Sequence, residues 1–172
     1  MNKNNQTLKE IFVSAMESYK KKNHNNAEIL CYKILSIDPY HFDSLYLLAN
    51  LSVIKGNFDD AKKLLEKSIE IQPKNANAIH NLGTTYKELG KFNEAITIYK
   101  KVLEIDPTHT NAHYNLGLTF YKLKNLRRAK SYFKKTVEIQ NNYALAFFCL
   151  ANVHVDLKEF ESAVSCYQKA IE

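Results

Sequence analysis

Residues that break helices or build unusual sites are scarce in this 172-residue chain. Its three cysteines show no C-x-x-C spacing, so neither a disulfide framework nor a cysteine-rich zinc site is expected, and a reducing compartment suits them. The longest apolar run near the N-terminus, Ile11-Phe12-Val13, falls short of the roughly 7 residues of a signal peptide's hydrophobic region. No segment approaches the roughly 20 apolar residues of a membrane span. The expectation is a soluble, cytoplasmic chain. Gly-rich phosphate loops are absent, as are a nucleophile with base and orienter and paired carboxylates in an apolar setting, so no catalytic residue and no cofactor is assigned. Among the six histidines, His109 and His113 are four apart, yet the first precedes the helix and no third ligand stands in register, which argues against a metal site. His154 and His113 read as packing residues.

What is present is a period. The only three prolines, Pro39, Pro73 and Pro107, and the two glycine pairs, Gly56 with Gly90 and Gly83 with Gly117, all recur at an interval of 34. Ala27, Ala61, Ala95, Ala129 and Ala163 fill the twentieth place of five successive repeats, 8–41, 42–75, 76–109, 110–143 and an incomplete 144–172. The third is the clearest copy. Ile79, Leu82, Gly83 and Tyr86 keep one face of a first helix, Gly90 interrupts it, and Ala95, Ile98, Tyr99, Val102 and Leu103 form a second helix that Pro107 ends. Gly83 permits close approach of a facing helix, and Gly90 can take the left-handed conformation that closes the first one.

The other repeats follow with local differences. Helices are expected near 8–21 and 25–37, 42–55 and 58–71, 110–123 and 126–139, and from about 144 onward, with residues 1–7 as a disordered polar tail. Asn57 is expected to cap the second helix of its repeat, with Asp59 and Asp60 in the first turn. Lys124 stands where the third repeat has Gly90, predicting about 1 kcal/mol of backbone strain.

This pattern resembles the tetratricopeptide repeat (TPR) family, whose 34-residue unit carries Leu-Gly and Tyr in its first helix, Ala and an aromatic in its second, and a terminal Pro. Leu82-Gly83, Tyr86, Ala95, Tyr99 and Pro107 match it, and the likeness covers residues 8–172. Departures are Ile11, Leu45, Ile79, His113 and Phe147 at the fourth place, where a large aromatic is common, and Asn141 in place of a fourth Pro. The resemblance implies an all-α fold, a right-handed α-solenoid of helix-turn-helix units with first helices on a concave wall.

By that resemblance, the groove-facing places hold Phe12, Tyr46, His80, Tyr114 and Phe148, then Asn50, Thr84, Leu118 and Asn152, together with Asn81, Asn115 and Tyr121. Rings at these places suit an extended peptide, and amides can bond its backbone whatever its sequence. Asn81 and Asn115 resemble two rungs of the asparagine ladder in the TPR superhelix of O-linked N-acetylglucosamine transferases. Asn50 and Asn81 also match the asparagines of the TPR clamp for the C-terminal carboxylate of heat-shock chaperones, but Tyr46, Asn111 and Asn115 replace its cationic residues, so that ligand would lose its main attraction.

The function expected is therefore a non-catalytic protein-protein interaction scaffold holding an extended peptide or helix of a partner. The alternative is the N-terminal substrate-recruiting arm of a larger glycosyl-, sulfo- or methyltransferase, cut at residue 172. A formal charge of +6 permits acidic partners without demanding them. The cluster Arg127, Arg128, Lys130, Lys134 and Lys135, with Ala129 and Phe133 turned inward, reads as a solvated outer face, so nucleic acid is not expected as a partner. Val164, Tyr167, Ala170 and Ile171 are left unpartnered at the last helix, which suggests truncation or self-association through uncovered ends.

Overall fold

The computed structural model describes residues 3–172, with side chains from residue 7 onward. Ten α-helices and no strand occur among the described residues: α1 (Lys3–Lys20), α2 (His24–Leu35), α3 (Phe42–Ile54), α4 (Phe58–Ile71), α5 (Ala76–Glu88), α6 (Phe92–Ile105), α7 (Thr110–Lys122), α8 (Leu126–Ile139), α9 (Ala144–Asp156) and α10 (Phe160–Ile171). They alternate as first and second helices of five repeats, giving an all-α solenoid of helical repeats. Helix α1 starts at Lys3, inside the stretch read as a disordered tail. Leu8 is buried and anchors it, and no Pro or Gly interrupts the preceding residues. Met1 and Asn2, the remainder of that expected tail, lie outside the described residues.

Packing divides the chain into two compact units, Met1–Thr85 and Tyr86–Glu172. The core of the N-terminal unit gathers Ala15, Ala27, Cys31, Leu47, Leu48 and Leu51. That of the C-terminal unit gathers Ala95, Tyr99, Leu116, Phe120, Ala129, Phe133, Leu150 and Val153. All five alanines of the twentieth place are buried. Gly117 shows why small residues recur: a Cβ there would come within 2.6 Å of the Phe133 ring, far inside normal packing distance.

The joint within each repeat is set by one backbone motif. Residues 22, 56, 90, 124 and 158, spaced by 34, all have positive φ; they are Lys22, Gly56, Gly90, Lys124 and Lys158. In each case the next residue's N–H reaches back five residues, as in Asn57 N–H to Ser52 O at 2.8 Å and Asn125 N–H to Phe120 O at 2.9 Å, closing a Schellman turn. That same residue's carbonyl then accepts from the alanine of the twentieth place, as in Ala61 N–H to Asn57 O at 3.0 Å. One residue thus ends the first helix and begins the second, so the hairpin angle is fixed by backbone bonds. The Lys124 strain expected from sequence has its geometric basis in a φ of 57°. Lys22 and Lys158 share it, which their residue type alone does not announce.

Capping corrects one expectation. Asn57 occupies the N-cap position of α4, but its side chain makes no cap bond; Asn23 and Asn125, at the same place, do accept from Asn26 N and Arg128 N. Three first helices are capped from the last place of the preceding repeat, while Tyr143 at that place before α9 makes no side-chain cap bond. His41 Nδ1 accepts from Ser44 N at 3.2 Å, Asn75 Oδ1 from Ala78 N at 3.1 Å and His109 Nδ1 from Ala112 N at 3.1 Å. An imidazole can do this only through an unprotonated Nδ1.

Two outcomes are expected. Lys124→Gly relieves a left-handed residue while adding chain entropy to the unfolded state, so it stabilises by about 0.5–1 kcal/mol in urea denaturation. His109→Ala loses about 1 kcal/mol of helix capping, while His109→Asn, the residue type used one repeat earlier, stays within a few tenths of wild type.

Candidate functional site

The twelve residues assigned to ligand contact from the sequence divide between the two units. None is fully buried, and Phe148 is 49% exposed.

In the N-terminal unit, α3 and α5 bring Tyr46, Asn50 and Asn81 together. Asn81 Nδ2 donates to the Tyr46 hydroxyl and to Asn50 Oδ1, both at 2.9 Å, while its Oδ1 stands 3.3 Å from His80 Nδ1. Asn81 is therefore engaged within the protein on both ends of its amide. It fixes Tyr46 and Asn50, both half-buried. Burial raises the Tyr46 phenol pKa, with hydrogen bonds from Asn50 and Asn81 opposing it. The ring itself stacks on Phe42 at 5.8 Å. Thr84 bonds the backbone of its own helix, Oγ1 to His80 O at 3.3 Å. Phe12 packs on the core of this unit and tilts against His41.

In the C-terminal unit, α7 and α9 carry the rest. Tyr114 lies between the rings of Tyr143 (5.0 Å) and Phe133 (5.8 Å), and its hydroxyl is 3.7 Å from Cys149 Sγ. Burial first, then Cys149, drives its phenol pKa well up, so it stays a neutral donor. The half-buried Asn115 follows it on α7. Leu118 and Tyr121 line an open cleft of about 450 Å³ with Lys87, Phe92 and Lys122. The Tyr121 hydroxyl bonds Asp156, which raises its pKa. Phe148 meets Tyr167 edge-on at 5.8 Å, and Asn152 Oδ1 accepts from the Tyr167 hydroxyl at 2.6 Å. Tyr143 and Asp156 were not singled out from the sequence, and Tyr167 was expected there to be unpartnered rather than bonded to Asn152. The register could have pointed to Tyr143, which stands at the place of His109; Tyr167 stands at that of Phe133.

Away from these surfaces, the basic cluster on α8 is largely exposed, with Ala129 and Phe133 fully buried beneath it. Lys130 pairs with Glu159, which also bonds the buried His154 Nδ1. Lys135 pairs with Glu138 at 3.3 Å, and Arg128 lies over the Phe120 ring. His113, buried against Tyr132, is 3.0 Å from Pro107 O through Nε2, while its Nδ1 has no partner. Among the described residues no group of three His, Cys, Asp or Glu could hold a metal ion, and no helix is long and apolar enough to cross a membrane.

Family signatures described as TPR repeat and tetratricopeptide repeat match residues 83–124, and residues 110–143 and 145–172. The chain belongs to the tetratricopeptide repeat family. A third signature, described as anaphase-promoting complex, cyclosome, subunit 3, matches residues 20–102. No curated protein matches the chain. Among solved structures it is similar to MamA, with 21% identity over 91% of this chain and 92% of that one, at a TM-score of 0.83. PilF of Pseudomonas aeruginosa gives 20% identity over 99% and 78% of the two chains and a TM-score of 0.88. YrrB, a TPR protein with an unusual peptide-binding site, gives 21% identity over 99% and 91% and a TM-score of 0.76. At these identities the likeness is one of fold.

The Lys130–Glu159–His154 cluster yields a pH prediction. Lys130 first, then His154, holds the Glu159 carboxyl below its ordinary value, so its stabilising contribution is present above the ordinary glutamate range and lost as pH falls through the lowered value. Glu159→Gln should therefore lower Tm at neutral pH, and the gap from wild type should close in strong acid.

Proposed function

We propose that this TPR array is a non-catalytic protein-interaction scaffold whose first-helix faces bind an extended peptide or a helix of a partner protein. The observation that carries this reading is the makeup of those faces. Partly exposed rings and amides stand side by side on α3 and α5 in one unit, and on α7 and α9 in the other. Aromatic side chains offer large contact area at small entropic cost, and amides can both donate to and accept from a peptide backbone. The similarity in fold to YrrB, whose description names a peptide-binding site, is in keeping with it.

The hydrogen bonds refine the roles. Asn81 positions Tyr46 and Asn50, so in the N-terminal unit the three side chains act together as one polar patch beside the Tyr46 ring. In the C-terminal unit, Tyr114, Leu118, Tyr121 and Phe148 supply apolar surface while Asn115 and Asn152 supply polar contact. His80, Thr84 and Phe12 flank these groups and shape the surface. Chemistry of the chain's own plays no part in this reading.

Peptides selected from a displayed random library against the whole chain test it. The double substitution Asn81→Ala with Asn115→Ala should weaken the selected peptides on the order of tenfold, with a modest fall in Tm from the lost Asn81 bonds, about 1–2 kcal/mol, that leaves the array folded. Equal affinity for wild type and double mutant would move the binding surface elsewhere.

A further inference from the structure

The twenty-third place of each repeat lies on the second helix and holds Leu30, Leu64, Ile98, Tyr132 and Cys166 in turn. Four of the five are large. Leu30 and Leu64 pack against the core of the N-terminal unit, and Tyr132 against that of the C-terminal unit. Tyr132 shows what such a side chain covers, since its ring stacks on Phe120 at 5.5 Å and tilts against His113 at 6.0 Å. One repeat on, the residues at those two places are His154 and Phe147, and the side chain that should cover them is the small Cys166.

The room of the larger side chain is left open. Cys166, His154 and Phe147, with Leu150, line a depression of about 570 Å³ that Lys134 of α8 and Lys169 of α10 also border. Its walls come from α8, α9 and α10, all within the C-terminal unit. On α10 the lining residues Ser162, Cys166 and Lys169 stand at i, i+4 and i+7, one stripe of the helix. Val164, Tyr167 and Ile171 belong to another stripe, so the depression has its walls whatever packs on that second side.

The charges around it are uneven. Lys130 is engaged by Glu159 and Lys135 by Glu138. Among the described residues, Lys134 and Lys169 have no ion-pair partner, and Lys169 lies over the Phe147 ring at 5.6 Å. Glu161 also borders the depression, but it precedes Lys169 by eight residues, about 12 Å along the helix. Burial pushes the Cys166 thiol pKa up, while Lys169, then Lys134, then Lys130 oppose it, so the charges that act at this point are ammonium groups. An apolar side chain resting on Phe147 and Leu150 would leave water, and a carboxylate next to it would meet two lysines that the protein itself does not neutralise.

We propose that this depression is a socket for one large apolar side chain of a partner protein, carried on an acidic segment whose carboxylates meet Lys134 and Lys169. The partner supplies in trans the ring or leucine that the other four repeats supply from their own second helix. This site is separate from the first-helix faces and stands whether or not those bind peptide.

The test uses the whole chain and a fluorescein-labelled peptide with one phenylalanine between two pairs of aspartates. Binding should shift the methyl resonances of Val137 and Leu150, which line the depression, and should weaken as salt is added. A peptide with alanine for phenylalanine, and another with asparagine for every aspartate, should each bind on the order of tenfold more weakly. Cys166→Tyr, the residue type found one repeat earlier, should fill the socket and abolish binding without lowering Tm. Cys166→Leu, the type found in the first two repeats, gives the same reading if tyrosine is not accommodated. Lys134→Gln with Lys169→Gln should weaken the peptide on the order of tenfold, and the Asn81→Ala with Asn115→Ala protein should bind it as wild type does. Absence of methyl shifts at millimolar peptide, or equal affinity in wild type and the filled variants, would overturn the site. Equal affinity of the aspartate and asparagine peptides would overturn the acidic partner. A concentration-dependent dimer in sedimentation that Cys166→Tyr dissolves would assign the socket to a second copy of the chain and overturn the choice of occupant.

Discussion

Each helix pair in this chain has a stripe of apolar side chains too broad for its own two helices to cover, and the rest of the stripe is buried only by the next pair. A repeat of 34 residues cannot make an independent core; the buried clusters draw on successive repeats. That dependence on neighbours dictates which places tolerate change. Alanine at the twentieth place and glycine or alanine at the eighth sit where helices approach most closely, and Gly117 against Phe133 shows how little room remains. The fifth, sixth and ninth places hold side chains as different as His80, Tyr114, Asn81, Cys149 and Leu118, although Leu47 at the sixth place is buried in the core of the N-terminal unit.

The division into two units falls inside α5, a helix without a break. The Schellman turns carry the complementary constraint. They settle each hairpin through the backbone, so the side chains of the turn are released to be Gly or Lys provided positive φ is tolerated.

Much of this could be read before any coordinates, because the sequence marks its own register. Pro, Gly and Ala at an interval of 34 give the helices to within a few residues, and burial of all five alanines follows from the same register. The misses have specific causes. Lys22 and Lys158 adopt a left-handed conformation that no property of lysine signals; only their alignment with Gly56 does. Asn57 is a favoured capping residue by type, yet at its N-cap position the side chain makes no cap bond. His41 and His109 carry no strong capping signal by residue type and are caps, because an imidazole nitrogen can accept where asparagine usually does. The bonding of the residues expected to contact a ligand could not be read from their places. Whether Asn81 offers its amide to a ligand or to Asn50 depends on the distance between α3 and α5, which no spacing along the chain contains.

Tyr167 shows how a ring is held where the structure packs no further helix on it. Its counterpart Phe133 needs no polar partner, since α9 helps to enclose the whole ring. Tyr167 lacks that cover, and its hydroxyl instead donates to Asn152 on α9, with Phe148 packed edge-on against the ring. A phenylalanine at this place would keep the ring contact and lose the bond that ties α10 to α9. The hydroxyl thus gives the hairpin an internal link in place of part of the stacking that the earlier repeats receive. It leaves the outer side of the ring, together with Val164 and Ile171, unburied. The α9–α10 hairpin is therefore held together by a side-chain bond and a ring contact as well as by its buried alanine.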